Sequence, residues 1–137
     1  MGWLMSDSDY RYIHDGIKSV PLFRKEIAEY EKNIILATPT HDDNGGGRSN
    51  IPSRPVENMV ENLVKDKRMQ RLKELVYYTD FALGELDEEK RRFITTVFWG
   101  NKTISGIKEE FHISYHTYRN WKKAFVLRVG KLTGDKR

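Results

Sequence analysis

The chain has 137 residues, 38% of them hydrophobic and 32% charged, with a mean hydropathy of −0.70, no cysteine and a net charge of +4. A chain of this size builds one compact unit or two small ones, and without cysteine it has no disulfide framework, thiolate metal site or cysteine nucleophile. No apolar run is long enough to span a bilayer and no leader-like segment opens the sequence, so a cytoplasmic protein without a membrane partner is expected.

Residues 1–37 read as an N-terminal helical segment. Ser6-Asp7-Ser8-Asp9 supply an N-cap cluster for a short helix over 6–19 that carries Tyr10, Ile13 and Ile17. Ser19 and Pro21 suit the start of a second helix, because proline in the first turn loses no helical hydrogen bond. In that helix Val20, Phe23, Ile27, Tyr30 and Ile34 recur at alternating spacings of three and four, a short coiled-coil-like seam.

Residues 38–55 read as a flexible linker, rich in Pro, Gly, Ser, Thr and Asn with Ile51 as the one aliphatic side chain. His41, Asp42 and Asp43 are adjacent there but lack the preformed geometry of a metal site. Pro55 then introduces a long helix over 56–85, about 40 Å at 1.5 Å per residue. Val56, Met59, Val60, Leu63 and Val64 form its first stripe. Met69, Leu72, Leu75, Val76, Phe81 and Leu83 continue it, displaced by the polar Asp66-Lys67-Arg68, and Gly84 marks its end. This stripe and the 20–34 seam can pair with each other, or across copies in a homodimer or higher homo-oligomer.

Residues 86–137 carry the most specific pattern. Leu86-Asp87-Glu88-Glu89 precedes a helix with Phe93, Ile94, Val97 and Phe98 on one face, its acids placed where the helix dipole favours them. Trp99-Gly100-Asn101-Lys102 breaks it. Thr103 caps a short helix whose Ile104, Ile107 and Phe111 are expected to face inward. His112-Ile113-Ser114 is a tight connection, and Ser114 caps a last helix with Tyr118, Trp121, Phe125 and Val129 as its core stripe. Short helix, three-residue turn and longer basic helix is the layout of a DNA-binding helix-turn-helix. The outward positions are then Tyr115, His116, Arg119, Asn120, Lys122 and Lys123. Arg119 suits guanine O6/N7 and Asn120 adenine N6/N7, while Lys122, Lys123, Arg128 and Lys131 suit phosphates. The charge agrees: residues 114–137 hold seven basic side chains against Asp135 alone, and the rest of the chain has no positive excess. His112 and His116 stand four apart across a turn with no third ligand, so no metal is expected. No phosphate loop, nucleophile motif or acid/base carboxylate pair suggests an enzyme or a cofactor.

The stretch Leu86 to Leu132 resembles region 4 of sigma-70 factors. The likeness lies in Leu86-Asp-Glu-Glu, Phe93-Ile94, Val97-Phe98, Gly100, Thr103-Ile104, Ile107, Phe111-His-Ile113-Ser114 and Thr117-Tyr118-Arg119 with Trp121. It implies a base-facing role for Tyr115, His116, Arg119 and Asn120, with Thr103, Ser114 and Thr117 at the helix starts beside them. One departure is Gly106, where that family usually has a carboxylate completing the capping box. The whole layout is similar to small phage transcription activators of the RinA and ArpU type. That resemblance implies an all-α regulator that binds double-stranded DNA at a promoter or operator, contacts host RNA polymerase and activates late genes. A phage DNA-packaging recognition subunit, and a module that docks on RNA polymerase or a sigma factor, use the same elements and stay open at this level.

Overall fold

The computed structural model describes residues 5–37 and 56–134, with side chains for 5–36 and 61–134. Residues 38–55, read from the sequence as a linker and holding His41, Asp42 and Asp43, lie outside the described residues, as do Asp135 to Arg137 and the side chains of Val56, Met59 and Val60. The described residues form six helices and no strand: α1 (Asp7–Lys18), α2 (Val20–Ala37), α3 (Val56–Gly84), α4 (Glu88–Trp99), α5 (Ile104–Phe111) and α6 (Tyr115–Gly134). The chain is all-α.

Local chemistry sets the helix starts. Ser6 Oγ accepts from the Asp9 N–H at 3.1 Å, and Asp87 accepts from the Lys90 N–H at 2.8 Å, with acidic residues in both first turns. Only Ser19 separates α1 from α2. Its N–H donates to the carbonyls of Asp15 and Gly16, and its own carbonyl accepts from the Phe23 N–H at 2.9 Å. Ser19 is therefore the C-cap of α1, and Pro21 sits in the first turn of α2.

The α2 seam finds its partner inside the chain. Val20 is buried, and Phe23, Ile27 and Tyr30 are half-buried as α2 packs on α3. Exposed ion pairs flank this contact: Arg24–Asp80 at 2.6 Å, Glu26–Arg68 at 3.2 Å and Glu31–Lys73 at 3.0 Å. Each is worth at most about 1 kcal/mol, so the apolar seam does most of the holding. Ile34, the seam's last member, is half exposed.

The inward face of α3 differs from the expected stripe. Met69, Leu72, Leu75, Thr79 and Ala82 are buried, with Val76 and Leu83 half-buried. Phe81, expected inside, is exposed, its ring centroid 6.5 Å from that of Tyr77 one turn earlier. The reason is angular: from Leu75, a helix returns inward at Thr79 and Ala82, while Phe81 points roughly 200° away from Thr79. Leu63 and Val64 are exposed as well.

One core serves α1, α3, α4, α5 and α6. It gathers Ile13 and Ile17, Leu75 and Ala82, Phe93, Ile94 and Phe98, Ile107 and Phe111, and Tyr118, Phe125, Val126 and Val129. The segments read as 1–37, 56–85 and 86–137 thus share apolar contacts, and the Trp99 indole N–H donates to the Ile17 carbonyl at 3.1 Å across them. α1 closes tightly on α3 because Gly16 has no side chain: a Cβ there would lie 2.4 Å from Leu75 Cδ2.

The Thr79 hydroxyl is fully buried in this core and has no hydrogen-bond partner among the described residues. An unmade hydrogen bond at a buried hydroxyl costs about 1–3 kcal/mol. Thr79→Val keeps the shape and removes the polar atom. It is expected to raise stability by about 1 kcal/mol, read from the midpoint of urea denaturation.

Candidate nucleic-acid interface

The turns around α5 fix where α6 stands. α4 ends at Gly100, where a Cβ would meet the Thr96 carbonyl oxygen at 2.7 Å, and Asn101 adopts the left-handed region at φ 57°. Thr103 Oγ1 accepts from the Gly106 N–H at 3.0 Å, so the cap works without the returning carboxylate. α5 closes at His112, also left-handed at φ 56°, while the Ile113 N–H donates to the Lys108 carbonyl at 3.1 Å. Ser114 Oγ then accepts from the Thr117 N–H at 3.1 Å and starts α6.

The structure places most of the sequence-selected side chains on one exposed surface. Tyr115, His116, Arg119, Asn120 and Lys123 are exposed on the first half of α6, with Thr117 half-buried among them. The Asn120 amide and the His116 Nε2 lie 3.0 Å apart, which holds both side chains in place. Arg119 lies over the Tyr115 ring at 6.0 Å, Lys108 lies over it at 5.8 Å, and Tyr115 stacks on Tyr118 with centroids 6.1 Å apart. The surface is cationic, and the Tyr115 ring lies under two of its cations.

Three selected residues sit differently from expectation. Lys122, read as an outward position, is half-buried, its ammonium 5.7 Å from the Phe98 ring and 5.9 Å from Tyr118. Burial, reinforced by the neighbouring Lys18, pulls its ammonium below the usual lysine range. Arg128, read as a phosphate contact, lies about half a turn around the helix from Arg119 and grips Glu85 with two hydrogen bonds, 2.9 and 2.7 Å. Ile104, expected inward, is exposed at the first position of α5, where it lines a groove with Tyr10 and Tyr115.

Those two Arg128 hydrogen bonds, more than the charge alone, hold the Glu85 carboxyl below the usual carboxylate range. A carboxylate with a lowered folded pKa stabilises the fold above its unfolded value, and that contribution disappears as pH falls through the folded value. Arg128→Gln is therefore expected to lower Tm at pH 7, with the difference from the parent shrinking below pH of about 4. Thermal unfolding followed by circular dichroism between pH 3 and 7 checks it.

Sequence reasoning missed what flanks α6. The start of α1 docks beside the exposed cationic face, so Met5, Asp7 and Tyr10 face Arg119, Lys122 and Lys123 across a groove of about 460 Å³. Burial raises the pKa of the Tyr10 hydroxyl, Arg119 close by partly offsets this, and Tyr10 stays neutral. No periodicity links residue 7 to residue 119, so nothing in the sequence announced this contact.

Neither a search of curated proteins nor one of solved structures finds a match for the chain. A family model, described as "Protein of unknown function (DUF722)", matches residues 5–130. That span takes in all of the described helices but the last turn of α6, and the chain belongs to the DUF722 family.

Proposed function

We propose that this protein is a sequence-specific transcription regulator that reads double-stranded DNA with α6, the second helix of a helix-turn-helix formed by α5 and α6. One observation carries the reading: Tyr115, His116, Arg119, Asn120 and Lys123 are exposed together at the start of a helix whose entry is fixed by capped turns at Thr103 and Ser114. That is the end of a recognition helix that meets base edges in the major groove. Arginine and asparagine there have the donor and acceptor geometry for guanine and adenine, and Lys123 that for a phosphate. The finer part rests on the resemblance to sigma region 4 and to RinA- and ArpU-type regulators. It is activation of phage late genes in the bacterial cytoplasm, with host RNA polymerase as the partner.

The test is a selection of sheared DNA from the protein's own phage or host, eluted at ~150 mM salt, where weak electrostatic binding is trimmed. A single enriched site upstream of structural or lysis genes supports the activator. Enrichment beside packaging genes without a promoter turns the reading to a packaging subunit, and no enrichment overturns sequence reading by α6.

Lys123→Ala is expected to weaken selected and random DNA alike and to lower the slope of log K against log salt by about one. Anisotropy titrations at several salt concentrations measure it. Lys122→Ala should also lower Tm, because its stem covers Phe98 and Tyr118.

A further inference from the structure

The groove between α1 and α6 has two walls of opposite chemistry. On the α6 side stand Arg119, Lys122 and Lys123. On the α1 side stand Asp7, in the exposed first turn, and the Tyr10 hydroxyl, for which no hydrogen bond is made among the described residues. Lys122 also has Lys18 of α1 as a cationic neighbour. In the groove itself Arg119, Lys122 and Lys123 outnumber the single carboxylate, and cations crowded on one wall are relieved by an anion among them. The groove runs beside the side chains that face base edges, where a major-groove reader meets the sugar–phosphate strand.

We propose that α1 is the second wall of the DNA interface: a backbone phosphodiester seats in the α1–α6 groove on Lys122, Lys123 and the Tyr10 hydroxyl, and the Asp7 carboxylate opposes it and limits affinity. This rests on the reading of α6 as a DNA-binding helix. It adds a phosphate seat and an affinity-limiting residue more than a hundred positions away in sequence. A carboxylate within about one Debye length of the phosphate, ~8 Å at physiological salt, weakens it without abolishing it, and that weakening grows as salt is lowered.

The experiment uses the full-length protein and a labelled duplex carrying the site recovered by genomic selection, with a scrambled duplex beside it, titrated between 50 and 300 mM NaCl. Asp7→Asn is expected to bind both duplexes about three-fold more tightly, and Asp7→Lys about ten-fold at the lowest salt, with the salt slope steeper by about one. Tyr10→Phe is expected to lose two- to three-fold on both duplexes at ~150 mM salt, through the lost hydrogen bond to the phosphate. Asp66→Lys on α3 makes the same change in net charge away from the groove and is expected to alter affinity less than two-fold at ~150 mM salt. Circular dichroism confirms helix content, since Asp7 also favours the start of α1. If Asp7→Lys binds no more tightly than Asp66→Lys while the parent binds DNA, the phosphate seat is wrong and the role of α6 stands. If no variant and no parent binds either duplex, both fall.

Discussion

Phe93→Ala is expected to cost about 3–5 kcal/mol, the largest loss of any single substitution considered, against a total of roughly 5–15 kcal/mol for a domain of this kind. Phe93 is completely buried, and three rings meet it edge to face. Trp121 lies at 5.2 Å and 90°, Phe111 at 5.5 Å and 85°, and Tyr118 at 5.8 Å and 78°. Each such pair adds roughly 0.5–1.5 kcal/mol to the apolar area it buries. The ring joins α4, α5 and α6, so its removal opens a cavity where these three helices meet. Arg92, the residue before it, lies over Phe111 at 4.5 Å, so the same change loosens a surface contact too. Urea denaturation measures the loss. Phe93→Leu, which keeps most of the volume, should cost under about half as much. A loss below about 1 kcal/mol for the alanine would mean that these rings do not form one packed unit.

Arg119→Ala is expected to cost about 1–3 kcal/mol on the selected DNA site and to relax specificity at a single base position. Arg119 is exposed, sits one turn into α6, and is steadied over the Tyr115 ring rather than by an acid. A guanidinium positioned this way keeps both donor edges for guanine O6 and N7. Fluorescence anisotropy on the selected site, on its single-base variants and on random duplex separates the two effects. Equal loss on selected and random DNA would reduce Arg119 to a phosphate contact.

The helices were legible because their signals are local. Ser6, Asp87, Thr103 and Ser114 cap as their side-chain chemistry dictates, and Gly84 closes α3 where glycine is a poor continuation. The core stripe of α6 was legible for the same reason, although Val126 joins it beside Phe125. What was not legible depends on how helices meet. Phe81 and Ile104 fit a helical period, yet Phe81 falls on the outer face of α3 and Ile104 opens onto the groove between α1 and α6. Lys122 is drawn in by the rings of Phe98 and Tyr118, and Arg128 by Glu85, forty-three positions earlier. The same holds for the α1 wall of the groove: its residues are ordinary helix-start residues until the tertiary fold lays them against Arg119.

The second half of α6 has a structural use. Phe125, Val126, Val129 and Gly130 are buried, and this end of the helix packs against α1 and α3 as well as α4. The exposed half of α6 is therefore not a separable cartridge. Grafted onto another protein without α1 and α3, it would carry a bare apolar flank into water and lose its footing. Substitutions at the exposed positions Tyr115, His116, Arg119, Asn120 and Lys123 leave the core alone, whereas those at Phe125, Val126, Val129 and Gly130 can be made only in step with the helices that hold them.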